Sequence, residues 1–89
     1  MFVKIFGRNL CKIRKLKTQH TQKSLAFKSN LSHRMIQAME EGFGGLSFRT
    51  LFKLAEVLEV TPDKLIMPVW HEYQKLSQKE KEAFFTRQK

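Results

Sequence analysis

The sequence predicts an all-α domain, on three grounds. Apolar residues recur at helical spacing through residues 6–17, 21–42 and 47–58. Residue types that cap helix starts stand just ahead of such runs: Thr21, Ser32, Ser47 and the pair Thr61-Pro62. Asn30 and Gly42 fall where helices must stop and the chain must turn. The expected architecture is a compact five-helix domain over residues 1–67, followed by a C-terminal helical extension over 68–89 that is a candidate dimerisation element through Val69, Trp70, Tyr73, Leu76, Phe84 and Phe85. With 89 residues the chain can bury one modest core but not two.

Met1 to Ile5 alternates weakly in polarity, which suits a short strand or an extended arm. From Phe6 to Lys17, the residues Phe6, Leu10 and Ile13 follow the i, i+4, i+7 rule, while Lys12, Arg14, Lys15 and Lys17 lie elsewhere. This predicts a basic amphipathic helix. Thr18-Gln19-His20 links it to the stretch around which the chain is organised, Thr21 to Gly42.

That stretch reads as helix, sharp turn, helix. The Thr21 hydroxyl can accept from a free N–H of the first turn, and Leu25 and Ala26 share the inner face of the short helix that follows. Asn30 sits at the turn, where a left-handed backbone is needed and Asn tolerates it best after Gly. Ser32 caps the second helix and Gly42 ends it. At 100° per residue, His33, Arg34, Gln37 and Ala38 occupy one arc of about 140°. Met35, Ile36 and Met39 fill the opposite arc and face a core. A cation, a carboxamide, an imidazole and a methyl on one helix face suit the reading of base edges in a major groove.

Phe43-Gly44-Gly45 is a loop. Ser47 caps a helix to about Leu58, on which Phe48, Leu51, Phe52, Ala55 and Leu58 form a wide apolar stripe for the core. Leu54 and Val57 extend the stripe and are the candidates on this helix for a dimer contact. Thr61-Pro62-Asp63 starts a short helix, roughly 62–66, which Pro68 closes. In the tail, Trp70, Tyr73 and Leu76 recur at spacing three. Ser77-Gln78-Lys79-Glu80 is a capping box for a last helix bearing Ala83, Phe84 and Phe85.

The net charge of +9 is one-sided. Nine Lys or Arg and no acid precede Glu40, whereas eight bases and eight acids from Glu40 onward cancel. A basic half that coincides with a helix-turn-helix pattern points to a polyanion, nucleic acid before membrane. Cys11 is alone, so neither an internal disulfide nor a cysteine metal cluster can form. His20, His33 and His71 make no metal-ligand pair at helical spacing, and Gly42-Phe43-Gly44-Gly45 follows a helix, not the strand that a phosphate cradle needs. Glu40 and Glu41 are adjacent and diverge by about 100°. No catalytic constellation, cofactor site or transmembrane run is present, and the apolar start is too short for a signal peptide. The expectation is a soluble, cytoplasmic protein that is not an enzyme.

Gln22, Leu25-Ala26, Leu31-Ser32, Ile36, Glu40 and Gly42, followed by Ser47, Leu51, Leu54-Ala55, Leu58, Val60 and Leu65, resemble the Cro/C1-type (XRE-family) helix-turn-helix domain over about residues 6–66. Leu25 to Gly42 also resembles, more loosely, the controller proteins of restriction–modification systems. The resemblance implies a lambda-repressor-like five-helix fold and a homodimer on a palindromic double-stranded DNA operator. It implies that His33, Arg34, Gln37 and Ala38 face bases, and that Gln22 anchors a backbone phosphate. It also implies that Glu40 pairs with a helix-one cation, Arg14 or Lys15. Thr21, Lys23, Ser32, Ser47 and Arg49 complete the expected phosphate contacts. Three departures stand out. The loop 43–46 lacks the family's basic residues, and His20 replaces an aliphatic one; the link from Arg14 to Gln22 is also one residue longer than usual.

The reading is a sequence-specific DNA-binding transcriptional regulator, most simply a repressor, that uses its third helix (about 33–40) in the major groove. The alternative is an antitoxin-like component whose aromatic tail covers a protein partner. A third reading is a nucleoid or RNA-binding protein without sequence preference.

Overall fold

A computed structural model of the chain describes residues 2–44 and 46–87. Among them are six α-helices: α1 Phe2–Lys17, α2 Gln22–Ser29, α3 His33–Glu40, α4 Phe48–Leu58, α5 Pro62–Gln74 and α6 Gln78–Arg87. None is long and apolar enough to cross a membrane. The core takes one fully buried side chain from each of the first five helices: Leu10, Leu25, Ile36, Leu54 and Leu65. Each such leucine stabilises the fold by about 1.5–3 kcal/mol. Leu54 therefore cannot serve a dimer contact, and Val57 packs half-buried against the same core.

The start of the chain is neither strand nor arm. Phe2, Ile5 and Phe6 carry the spacing of Leu10 and Ile13 back toward the N-terminus, so α1 is helical from Phe2; Met1 lies outside the described residues. Further along, α1 crosses α3 very closely. A Cβ on Gly7 would collide with the carbonyl oxygen of Met39 and sit 2.9 Å from that of Glu40. Glycine is the residue that lets these two helices meet.

The stripe on α4 is narrower than its periodicity suggests. Leu51, Leu54, Ala55 and Leu58 are buried, but Phe48 and Phe52 are 78% and 52% exposed and stack on each other with ring centroids 6.0 Å apart. Both rings lie at the edge of the arc that α1, α2 and α5 cover. The other end of α4 is capped by Glu59 in the left-handed conformation, with φ 57°.

Pro68 does not close α5. The helix runs unbroken from Pro62 to Gln74, so the expected division between residues 67 and 68 falls inside it. Proline lacks the N–H that would bond the carbonyl four residues back, here that of Lys64. The Asn9 side chain on α1 supplies the missing donor: Nδ2 lies 2.9 Å from the Lys64 carbonyl and 2.9 Å from that of Leu65. Thr61 precedes the helix in an extended conformation but makes no side-chain capping bond.

The capping box of α6 is formed, Ser77 N–H donating to Glu80 Oε1 at 2.8 Å and Glu80 N–H to Ser77 Oγ at 3.2 Å. The tail reaches back to the start of the chain. The Phe2 ring packs against Phe84 at 5.1 Å and Tyr73 at 6.4 Å, and Tyr73 stacks on Trp70 at 5.5 Å. Trp70 and Phe85 stay exposed at the rim of this cluster.

Candidate nucleic-acid interface

The unit α2–turn–α3 is held by local chemistry at each end. The Thr21 hydroxyl accepts from Ser24 N–H at 3.1 Å while Thr21 N–H donates to Ser24 Oγ at 2.8 Å, a reciprocal cap on α2. His20 Nδ1 lies 2.9 Å from the same Ser24 hydroxyl, which gives this histidine a place at the cap. Asn30 ends α2 with φ 57° and ψ 43°, as its place at the turn predicts. The Ser32 hydroxyl accepts from Met35 N–H at 3.0 Å and starts α3. Ile36 and Met39 face the core, which leaves the opposite side of α3 outward.

That outward side carries the expected readers. His33, Arg34 and Gln37 are exposed, and Ala38 is half-buried between them and the body of the domain. Around α3, Thr21, Lys23, Ser32, Ser47 and Arg49 are exposed as well. Their free donors differ. The cap uses the oxygens of Thr21 and Ser32 as acceptors and leaves each hydroxyl hydrogen for another partner. Ser47, by contrast, accepts from Thr50 N–H and also donates to Thr50 Oγ1, both at 3.1 Å. Its hydroxyl is internally satisfied.

Beneath this outward face lies a chain of polar side chains. Arg14 grips Glu40 with two bonds, Nε to Oε2 at 2.6 Å and Nη2 to Oε1 at 2.9 Å, and its Nη1 donates to the His20 carbonyl at 3.2 Å. The side chains of Arg14 and Glu40 are only 9% and 4% exposed. The expected partner of Glu40 on helix one is thus Arg14 and not Lys15, which is exposed. Burial by itself would raise the Glu40 carboxyl. The hydrogen bonds from Arg14 and Gln22, with the Arg14 charge, outweigh it and hold the group below the usual carboxylate range.

Gln22 continues the chain outward. Its Nε2 donates to Glu40 Oε1 at 3.0 Å, and its Oε1 lies 3.3 Å from His33 Nε2. One amide hydrogen of Gln22 remains for another partner. The bridge from Gln22 to His33 has no signal in the sequence, although both are the first residues of helices that meet at one turn. The eight cations before Glu40 other than Arg14 are all exposed: Lys4, Arg8, Lys12, Lys15, Lys17, Lys23, Lys28 and Arg34.

Two comparisons bear on this arrangement. The helix-turn-helix family model, of the Cro/C1 type, matches residues 12–65. Among solved structures, the restriction-modification controller protein C.AhdI from Aeromonas hydrophila is similar with a TM-score of 0.68 and 32% sequence identity, covering 71% of this chain and 94% of that one. No curated protein sequence matches at a significant level.

Proposed function

The chain belongs to the Cro/C1-type helix-turn-helix family and is a DNA-binding transcription regulator, and we propose that it is a repressor that reads a palindromic operator with α3 in the major groove. The observation that carries this reading is the outward face of α3. His33, Arg34 and Gln37 stand exposed there, while the buried Arg14–Glu40 pair ties the end of the same helix to α1. A rigidly seated helix with mixed donors and acceptors fits base edges; a merely basic surface would need no such support. Thr21, Lys23, Ser32 and Arg49, with the remaining amide hydrogen of Gln22, flank α3 as phosphate contacts. Ser47 belongs to this set only through its backbone.

The active species is a homodimer, which places two copies of α3 on half-sites about 34 Å apart. Its contact surface is an apolar cleft of about 150 Å³ lined by Phe2, Val3, Phe43, Leu46, Ile66 and Val69, among others, several of them exposed. Val3, Phe43, Leu46 and Ile66 stand exposed around it, apolar side chains that a second copy could cover. Trp70 stands close by on the same side of α5 as Ile66, one turn along. Sedimentation equilibrium tests this part: the wild type is expected to dimerise at tens of micromolar and Ile66→Glu to remain monomeric. Equal behaviour of the two would remove the cleft from the interface.

Selection of bound sites from a random duplex library tests the regulator reading itself. The expected product is a recurrent pair of inverted half-sites. Retention of duplexes without enrichment would favour a nucleoid-type protein, and capture of a protein partner by the tail would favour the antitoxin-like alternative.

A further inference from the structure

We propose that the chain Arg14–Glu40–Gln22 fixes the tautomer of His33, so that this histidine presents a bare acceptor nitrogen to DNA and selects an amino base, adenine or cytosine, on the strand it faces. The inference rests on the DNA-reading function above and adds the chemical class of base at one position.

The polarity of each link follows from the one before. A guanidinium only donates, and Arg14 puts two N–H groups on Glu40. The Glu40 side chain, ionised and almost fully buried, only accepts. The group of Gln22 that lies 3.0 Å from Glu40 Oε1 must therefore be its NH2. That orientation leaves the carboxamide oxygen, an acceptor, 3.3 Å from His33 Nε2. A neutral imidazole carries one N–H, and here it belongs on Nε2. Nδ1 keeps its lone pair, on an exposed ring and with no hydrogen-bond partner among the described residues.

A lone pair on the reading face needs a donor. In the major groove the base donors are the N6 amine of adenine and the N4 amine of cytosine; guanine and thymine offer oxygens and, in guanine, another bare nitrogen. His33 thus accepts A or C and rejects G or T on the strand it faces. Gln22 is a positioning residue in this scheme, and Glu40 sets its direction from within the core.

The test has two arms, both at about pH 8.5, above the ordinary imidazole titration. In the first, long-range nitrogen–proton NMR on free, full-length protein reads the His33 tautomer in wild type and in Gln22→Leu, with no DNA present. Nearly pure Nε2–H in the wild type and a mixture in Gln22→Leu is the expected result. The Nδ1–H form in the wild type, or the same composition in both proteins, overturns the relay. In the second arm, sites are selected from a random duplex library with each protein. The wild type is expected to retain A or C at one position of each half-site, and Gln22→Leu to lose roughly fivefold of that discrimination, the lower end of what one base contact supplies. G or T in the wild type, or an unchanged preference in Gln22→Leu, overturns the assignment of the base. A wild type with no preference anywhere defeats the DNA-reading function and the base assignment with it, while the first arm still decides the relay.

Discussion

The side-chain amide of Asn9 donates to the backbone carbonyl of Lys64 at 2.9 Å, the carbonyl that Pro68 leaves without its intrahelical donor. The contact joins residues 55 positions apart and lets α5 pass through a proline. Asn9→Ala is expected to destabilise the fold by about 0.5–1.5 kcal/mol, the net worth of a hydrogen bond to a carbonyl that water can still reach. Pro68→Ala restores the helical N–H, so Asn9→Ala should cost less in that background. Urea denaturation of the four proteins gives the coupling, and strict additivity would show that the two residues are unrelated.

The Arg14–Glu40 pair supports a prediction about pH. The folded-state value of Glu40 is depressed, so its contribution is complete above the unfolded carboxylate value, about 4.3, and is lost as pH falls through the folded one. Stability of the wild type should drop on acidification below about pH 4.3, and Glu40→Gln should show a shallower drop there. At neutral pH, Arg14→Met strands a buried carboxylate and is expected to cost about 3–5 kcal/mol. Denaturant titrations between pH 3 and pH 7 check both statements.

Gly7→Ala tests the crossing of α1 over α3. In an open helix the change would stabilise by about 1 kcal/mol. Here the added methyl meets the Met39 carbonyl, and backbone must move to admit it. A net loss of about 1–3 kcal/mol is expected, as for overpacking elsewhere. A gain in melting temperature would mean that the helices part at no cost.

Binding to duplex DNA should weaken steeply with salt. If about five of the exposed cations neutralise phosphates, log K falls against log salt with a slope of roughly −4 to −5. A slope near zero would remove the electrostatic basis of the interface.

The features legible in the sequence are those decided within one turn of helix. The caps of Thr21, Ser32 and Ser47, and the left-handed Asn30, depend on neighbours three or four residues away. Their chemistry is complete in the local string. Pro68 reads as a stop in the local string because its remedy, Asn9, lies on another helix. The helical start at Phe2 is hidden from the local string for the same reason, since Tyr73 and Phe84 come from the tail to pack on it. Phe48 and Phe52 keep helical period with Leu51 and Ala55, but period does not tell how wide an arc the neighbouring helices cover. In the site, the exposure of His33, Arg34 and Gln37 on one face of α3 is legible from spacing alone, whereas the Gln22–His33 bridge depends on the angle at which two helices meet.

The central claim is that α3 reads sequence, and the specificity ratio measures it most directly. Competition binding of a selected site against random duplex, at one salt concentration, would be compared for wild type, Arg34→Ala and Lys23→Ala. The wild type should prefer its site by about 10³-fold or more. Arg34→Ala should lower that ratio by roughly tenfold, as befits the loss of one base contact. Lys23→Ala, the change at a proposed phosphate contact, should weaken both duplexes equally and leave the ratio unchanged. A wild-type ratio near one, or a ratio that Arg34→Ala does not alter, would contradict the account.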